Sequence, residues 1–313
     1  MITISKEYVV DILKGGQEPA AYCESGDTAV FETKDCYDDD DITEENPYGN
    51  HPDGLENPAT GPLYVQGAEP GDVLKVEIGK IRLRGYGIMR TSVTDGAFHY
   101  LYQEKTARRF YFETNPDTGR EGFWFDEKLW LDCDTMIGVI GTAAEGDGVL
   151  TITPGVHGGN MDCNRITEGS VLYLPVHVPG ALLSMGDLHA RMGDGEVMIC
   201  GLETGGTVEV RVTVLKGGEP AEAGVLWEAL PLLVSGKQVM TIQSAESLDE
   251  AAAMAAQKMQ RLTAKLTRLD DVNSGMLMSL LGNLVICQIV NPLKTVRCEF
   301  PLDVLAAYGG QLP

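Results

Sequence analysis

The sequence predicts a mostly β protein, in which a sandwich or barrel-like β core is followed by an α+β C-terminal part. Short runs rich in β-branched residues recur over the first two thirds of the chain, and clusters of Pro, Gly, Asp and Asn separate them. Helical patterns do not alternate with these runs, so a doubly wound α/β sheet is not expected. We expect residues 1–216 to form the β-rich core and residues 217–313 the α+β part, packed with the core as one unit.

Seven runs in the first part are predicted as strands. They are TAVFET (28–33), PLYVQG (62–67), DVLKVEIGKIRL (72–83), MIGVIGTA (136–143), SVLYLPVHV (170–178), EVMICGLE (196–203) and TVEVRVTVL (207–215). Between them lie an acidic, Pro- and Gly-rich segment at 35–61 and an irregular, aromatic region at 86–130. Loops this long inside a compact domain are usually functional or disordered.

The clearest helix of the chain is predicted at 247–269, SLDEAAAMAAQKMQRLTAKLTRL. Ser247 and Glu250 have the spacing of a capping box, which satisfies two backbone donors at the start of a helix. A second helix is predicted from Asp271 to Gly282. The runs NLVICQIV and TVRCEFPL then return to strand.

Composition excludes several classes of partner. The 313 residues carry 46 acidic and 24 basic side chains, a formal charge of -22. Such a surface repels nucleic acid and anionic membranes and suits a small neutral or cationic substrate. The chain lacks both an apolar run long enough to span a membrane and a basic, apolar leader. Its seven cysteines include no C-x-x-C pair, so we expect reduced thiols and a cytoplasmic protein.

Candidate chemistry concentrates around two of the five histidines. The stretch GDLHARMGDGE contains Asp187 and His189, which would share one face of a strand because they are two residues apart. A carboxylate and an imidazole on one face are a usual start for a zinc or similar site. His157 or Asn160, from PGVHGGNMD, could complete the ligand sphere from a second loop. Glu196 and Glu203 are candidates for the nearby carboxylate that moves protons.

Other interpretations fit the same residues. A single histidine is more often structural than a metal ligand, and D-x-H spacing alone is weak. Cys36 or Cys163 could act as a nucleophile together with His157, although buried, inert cysteine is the commoner case. A metal-binding or small-molecule-binding β protein without catalysis is the third alternative. The residues alone therefore indicate a soluble, mostly β protein with a candidate metal-assisted hydrolytic site.

The stretch at 154–197 resembles the acetamidase/formamidase family in more than spacing. That family has H-G-G-N-x-D, then G-S-x-x-Y-L-P-V, V-P-G-A-L-x-S-x-G-D-x-H-A and G-D-G-E, and all four stand here in that order. The runs SGDTAVFETKDC, NPATGPLYVQGAEPGDVLKVEI, MIGVIG and LLGNLVICQIVNPLKTVRCEFP also correspond. The resemblance covers nearly the whole chain. It departs at YDDDDIT, where many relatives carry a Gly-Gln step, and over 86–134, and either region could line the substrate entrance.

The resemblance implies a soluble hydrolase of short aliphatic amides such as formamide and acetamide, β-rich with an α+β C-terminal part. It further implies a divalent metal, with zinc as the expected ion, and a homo-oligomer, with a dimer as the expected state. The metal neighbourhood that it implies consists of Asp35, His157, Asn160, Asp187 and His189. Glu196 is the implied proton-transfer carboxylate, with Glu203 behind it.

Overall fold

A computed structural model describes residues 2–51, 54–217 and 222–313. Within these ranges the chain forms short and medium strands, four α-helices and one 3-10 turn at His99–Leu101. The strands are β1 (Ile2–Ile4), β2 (Val9–Val10), β3 (Ile12–Leu13), β4 (Ala21–Cys23), β5 (Thr28–Thr33), β6 (Ala59–Val65), β7 (Val73–Leu83), β8 (Tyr86–Arg90), β9 (Ala107–Tyr111), β10 (Glu113–Thr114), β11 (Glu121–Trp124), β12 (Trp130–Asp132), β13 (Met136–Gly141), β14 (Val149–Leu150), β15 (Gly158–Asn160), β16 (Val171–Pro175), β17 (Leu183–His189), β18 (Glu203–Thr204), β19 (Gly206–Leu215), β20 (Leu232–Ser235), β21 (Gln238–Ala245), β22 (Asn283–Gln288) and β23 (Lys294–Pro301). The helices are α1 (Glu222–Trp227), α2 (Leu248–Thr267), α3 (Asp271–Leu281) and α4 (Leu302–Ala307).

Two nine-stranded sheets form the body of the protein. The first has the order β1-β5-β19-β7-β16-β20-β21-β23-β22, and the second has the order β15-β13-β17-β18-β8-β9 with β6, β2 and β4 attached through β17. Side chains of both sheets meet in one buried cluster, where Phe31 and Val76 of the first sheet join Ile137 and Met185 of the second. This sandwich-like arrangement confirms the predicted fold class.

The C-terminal part extends the first sheet. Strand β20 pairs with β16, so the sheet runs from the first part of the chain into the second without a break. Helix α2 packs on β21 and β23, and Ala255, Met259 and Phe300 form a second buried cluster there. The division at residue 216 stays a prediction.

Several predicted elements agree closely with the structure. Strand β5 has the predicted bounds, and Ser247 caps α2 by accepting a hydrogen bond from the backbone N–H of Glu250. In the described part of the segment 35–61, the Asp40 carboxylate accepts backbone hydrogen bonds from Asn50 and His51, at 2.8 and 3.0 Å. None of the described helices combines the length and apolar composition needed to cross a membrane.

Two predictions of local structure were wrong. The run 196–203 is largely a loop, in which only Glu203 belongs to a strand, because Glu196 and Ile199 have φ values of 45° and 143°. Such values turn the backbone out of the extended form. The region 86–130 was expected to be irregular, yet it contains β8 to β11 and the start of β12. Its alternating pattern is weak because the smaller sheet formed by β10, β11 and β12 is partly exposed.

Candidate active site

Four carboxylates and one imidazole converge at the second sheet. Asp187 and His189 lie on β17, Asp162 follows β15, Glu203 begins β18, and Glu196 lies in the loop between β17 and β18. All five side chains are at most 6% exposed. Burying this many acidic groups with so few cations is costly unless something compensates their charge.

The carboxylates surround one ring nitrogen of the imidazole. His189 Nε2 lies 3.1 Å from Glu203 Oε1, 3.5 Å from Asp187 Oδ1 and 3.9 Å from Asp162 Oδ1. The closeness of Asp187 and His189 confirms the prediction that these two side chains point to one place. Glu196 is close as well, because one of its carboxylate oxygens lies within 4.8 Å of ligand atoms of both Asp162 and His189.

A glycine on the neighbouring strand makes room for two of these carboxylates. Gly138 lies on β13 opposite the bend in β17 at which Asp187 has a φ of 55°. A Cβ at Gly138 would lie 2.5 Å from Asp187 Oδ2 and 2.6 Å from Asp162 Oδ1. Since real Cβ contacts are not this short, only glycine fits between the two acids.

Three amide side chains hold the outer oxygens of the same aspartates. Asn57 Nδ2 lies 3.1 Å from Asp187 Oδ2, and Asn291 Nδ2 lies 2.5 Å from Asp162 Oδ2. In the amide orientation that satisfies its neighbours, Asn160 donates to both of these oxygens, at 3.0 and 3.1 Å, and accepts from Asn57 and Asn291. The amides therefore fix the carboxylates so that each Oδ1 faces His189.

The inner atoms, in contrast, have no hydrogen-bond partner. These atoms are Asp187 Oδ1, Glu196 Oε2, Glu203 Oε2 and His189 Nε2. The other ring nitrogen of His189, Nδ1, is also unpaired but lies beside Gly201. The 3.1 Å approach of Glu203 to His189 is close, yet its alignment is not that of a hydrogen bond. Buried polar atoms are nearly always paired, so a convergent group of unpaired atoms indicates a place for a ligand.

Burial also shifts the pKa values of these groups. Burial, together with the negative charges of its neighbours, raises the pKa of Asp162 and of Asp187 to about 6. The same causes, burial first and Asp162 second, raise the pKa of Glu196 well above its usual range. Burial opposes the charged form of His189, but the carboxylates of Glu203 and Asp187 outweigh it and raise the pKa of the imidazole.

Three carboxylates of the cluster line a cavity of about 380 Å³, while Asp162 and His189 lie outside the lining. Among its lining residues are Asn160, Asp187, Glu196, Glu203 and Cys200. The segment 35–61 contributes Cys36, Tyr37, Glu56 and Asn57, and the region 86–134 contributes Arg90 to Ser92, Thr94, Asp95 and Lys105. The divergent region 86–134 thus supplies much of the wall, whereas the divergent run YDDDDIT contributes Tyr37 alone to the described lining.

Two of the predicted metal ligands lie apart from the cluster. Asp35 is not part of the cluster, because its carboxylate pairs with Arg84 and accepts backbone N–H groups from Tyr37 and Asp39. His157 is buried outside the cavity lining, next to Gly155 and Gly159, and burial lowers its pKa to about 4. Asp35 had been implied by the family resemblance, whereas His157 had also been proposed from its place in the Gly-rich run PGVHGGNMD.

Asn160, the third residue, has a different role from the one predicted. Asn160 does lie at the site, but its amide binds side chains on both sides and orients carboxylates. The sequence reasoning left out Asp162, which stands two residues after Asn160 in the same motif, and gave no role to Asn57 or Asn291. Local spacing gives no signal for these asparagines, since β17, the 35–61 segment and the loop after β22 meet only in the fold.

The two candidate nucleophiles lie in different places. Cys36 lines the cavity, but burial and the charges of Glu203 and Asp187 raise the pKa of its thiol well above the usual range. A thiol that stays protonated is a weak nucleophile. Cys163 is fully buried away from the cavity lining, beside Cys287 and Arg297. Neither arrangement favours the cysteine mechanism.

The fold and the cluster define a β-sandwich protein with a buried carboxylate-histidine site. A model of the Acetamidase/Formamidase family matches residues 133–231, the part that contains Asp162, Asp187, His189, Glu196 and Glu203. The crystal structure of an acetamidase from Bacillus halodurans superimposes with a TM-score of 0.89 at 42% identity, covering 98% of this chain and 100% of that one. The chain belongs to the acetamidase/formamidase family.

Curated relatives agree with this assignment. The acetamidase of Mycolicibacterium smegmatis is 31% identical over 217 residues, which are 51% of this chain and 53% of the relative. A putative formamidase of Schizosaccharomyces pombe is 31% identical over 213 residues, 51% of this chain and 52% of the relative. The matched region thus spans about half the length of these curated relatives.

Proposed function

We propose that this protein is an amidohydrolase that cleaves short aliphatic amides of the formamide and acetamide type to a carboxylate and ammonia. The observation that carries the proposal is the group of unpaired, buried carboxylate and imidazole atoms at and beside an open cavity. Family membership supports the same reaction. A binding protein without catalysis would not need proton-transfer carboxylates at the cavity floor.

A divalent cation fits the cluster. Carboxylate oxygens and an imidazole nitrogen are donors that zinc accepts, and the unpaired atoms of Asp187, His189 and Glu203 are free to bind it. A positive ion would also compensate the buried negative charge. We therefore propose that Asp162, Asp187 and His189 hold the cation, with Glu203 beside them and zinc as the expected ion. When bound, it supplies Lewis-acid chemistry, polarising the amide carbonyl and lowering the pKa of water.

The protein's own groups then move the protons. Glu196 is proposed to accept a proton from the attacking water and to donate it to the departing nitrogen. Burial, followed by the charge of Asp162, raises the pKa of Glu196, which makes its carboxylate a stronger base toward the water proton. Amides need the second transfer, since their nitrogen leaves poorly until it is protonated. Asn57, Asn160 and Asn291 keep the aspartates in place throughout.

Ammonia release tests the proposal directly. The purified protein is expected to release ammonia from formamide, acetamide or propionamide, to lose this activity with a chelator, and to regain it when zinc is added. Iodoacetamide should leave the activity largely unchanged, because burial keeps the Cys36 thiol protonated. Activity that resists chelation but is abolished by iodoacetamide would support a cysteine nucleophile. Stabilisation by amides without any ammonia release would support a binding protein.

The pH dependence of stability provides a second prediction. Asp162 and Asp187 have pKa values of about 6 in the cation-free folded state. Each therefore holds its proton to a higher pH in the folded protein than in the unfolded chain. The raised pKa values of Glu196 and His189 act in the same direction. The free energy of unfolding of the cation-free protein should therefore fall as pH rises through about 6.

A bound cation offsets the loss of stability that the deprotonated carboxylates cause. Zinc should therefore raise the Tm more at about pH 8 than at about pH 5. Thermal melts with zinc and with chelator, at both pH values, measure the difference. An equal increase at the two pH values would contradict the assignment of the cation to these carboxylates.

We further propose a homodimer formed through α3 and the edge strand β22. Val272, Met276 and Leu280 stand four residues apart on α3 and are exposed, as is Leu284 on β22. Exposed apolar side chains beside an edge strand favour pairing with a second copy. Light scattering should give a dimer mass for the wild type and for Leu129→Glu, at an exposed leucine in the turn between β11 and β12, and a monomer mass for Leu280→Glu. A monomeric wild type would refute this interface.

We propose the cytoplasm as the location of the protein. All seven cysteines are free thiols in the structure. Free thiols are typical of a reducing compartment.

A further inference from the structure

Two cations line a cavity whose floor is acidic. Arg90 and Lys105 both belong to the lining, in a protein with a formal charge of -22. Both come from the region 86–134, in which the sequence departs from the family pattern. Neither Arg90 nor Lys105 forms an ion pair with a carboxylate of the described residues. Lys105 Nζ lies 5.9 Å from the centroid of the Tyr48 ring. Two cations without an acidic partner among the described residues, at a candidate substrate cavity, are suited to a negatively charged group on the ligand.

The position of Arg90 is fixed by its surroundings. Its backbone N–H donates to Cys200 Sγ at 3.5 Å, and the Cys200 thiol donates to the Arg90 carbonyl at 3.4 Å. The guanidinium lies over the ring of Tyr37, 4.3 Å from its centroid. A stacked guanidinium keeps its N–H groups available at its edge for a carboxylate.

Sheet register gives the separation from the acidic cluster. Glu203 pairs with Ile88, and Arg90 is two residues further along the same strand. Residues two apart share a face, so Arg90 and Glu203 are diagonal neighbours on one face of the sheet, with their backbones about 7–8 Å apart. Both side chains line the same cavity, so a short substrate can contact Arg90 at one end and the cluster at the other.

Two further acidic residues of the wall, Asp95 and Glu56, form no described ion pair with Arg90 or Lys105. The Asp95 carboxylate accepts hydrogen bonds from Ser92 and Thr94, at 3.3 and 2.5 Å. Glu56 is exposed at the mouth of the cavity. The volume of about 380 Å³ lies within the range of about 300–1,000 Å³ for pockets that hold ligands much larger than acetamide.

We propose that the preferred substrate is a short amide that carries a carboxylate two or three carbons from the amide group, and that Arg90, assisted by Lys105, is the residue that selects it. This inference rests on the proposed function. In the reaction the C–N bond breaks and a C–O bond to water forms. The water proton goes to nitrogen, so succinamate and water give succinate and ammonium.

Three amides that differ only in the charge of their far end test the inference. They are succinamate, its neutral isostere 4-methylpentanamide and the cationic 3-aminopropanamide. The wild type should have a kcat/KM for succinamate at least about tenfold above the other two, the factor expected of a charge-assisted contact. Arg90→Gln should reduce this ratio to near one, and Arg90→Lys should retain part of it.

Arg108→Gln is the matched control. Arg108 also stacks on an aromatic ring, 4.4 Å from the centroid of Phe110, but it lies outside the cavity lining. This variant should keep the wild-type ratio. Equal kcat/KM values for the three amides, or an unchanged ratio in Arg90→Gln, would overturn the inference while the proposed function stands. Absence of ammonia release from all three and from acetamide would overturn both.

Discussion

Replacing Glu196 by Gln is expected to lower kcat for amide hydrolysis by about 10²–10⁴-fold, the usual loss on removing a general acid-base group. Glu196 is buried at the cavity floor, one of its oxygens has no partner, and its pKa is well above the usual range. Gln has the same shape but cannot exchange a proton. KM should change little, because the substrate contacts remain.

The measurement combines initial rates with the metal content of the same samples. Glu168→Gln is the control, since Glu168 is exposed and its carboxylate makes long contacts, at 3.7 Å with Lys80 Nζ and 3.5 Å with the backbone N–H of Ile81. Its kcat should equal that of the wild type. Full turnover of Glu196→Gln with the cation bound would contradict the proton-transfer role. Loss of the cation together with the rate would instead make Glu196 a ligand.

Replacing Gly138 by Ala is expected to disrupt the site as a whole. The new methyl group would lie 2.5 Å from Asp187 Oδ2, 2.6 Å from Asp162 Oδ1 and 2.9 Å from the Asp187 carbonyl. Carboxylates and backbone on β17 would have to move apart, which costs about 1–3 kcal/mol in overpacking. Displacing two proposed ligands at once should weaken cation binding at least about 100-fold and reduce turnover in proportion.

Gly85→Ala serves as the control for this substitution. Gly85 stands in the turn between β7 and β8, and a Cβ there meets no atom within 4 Å. This variant should keep cation affinity, rate and Tm. Calorimetric titration of zinc into both chelated variants gives the comparison. Wild-type affinity in Gly138→Ala would show that Asp162 and Asp187 do not hold the ion together.

The sequence was informative where local rules decide the structure. Ser247 and Glu250 predicted the start of α2 because a capping box acts within one helical turn. The pair Asp187 and His189 was predicted to share a face, and the 3.5 Å approach of their side chains confirms it, even though Asp187 has a positive φ.

Sequence reasoning failed where partners come from distant segments. Asp35 has the chemistry of a ligand, and only the fold shows that Arg84 occupies its carboxylate. His157 stands three residues before Asn160, yet the strand between them carries the histidine out of the cavity lining. Asn291 reaches Asp162 across 129 positions, a distance at which no periodicity gives a signal.

The most direct test of the central claim is to locate the cation. Anomalous diffraction at the zinc edge, from crystals of the protein loaded with zinc, is expected to show one strong peak between Asp162, Asp187, His189 and Glu203. The peak should vanish after chelation, together with ammonia release measured on the same preparation. A fully active crystal whose only peak lies at His157 or at the surface, or that shows no peak at all, would contradict the account.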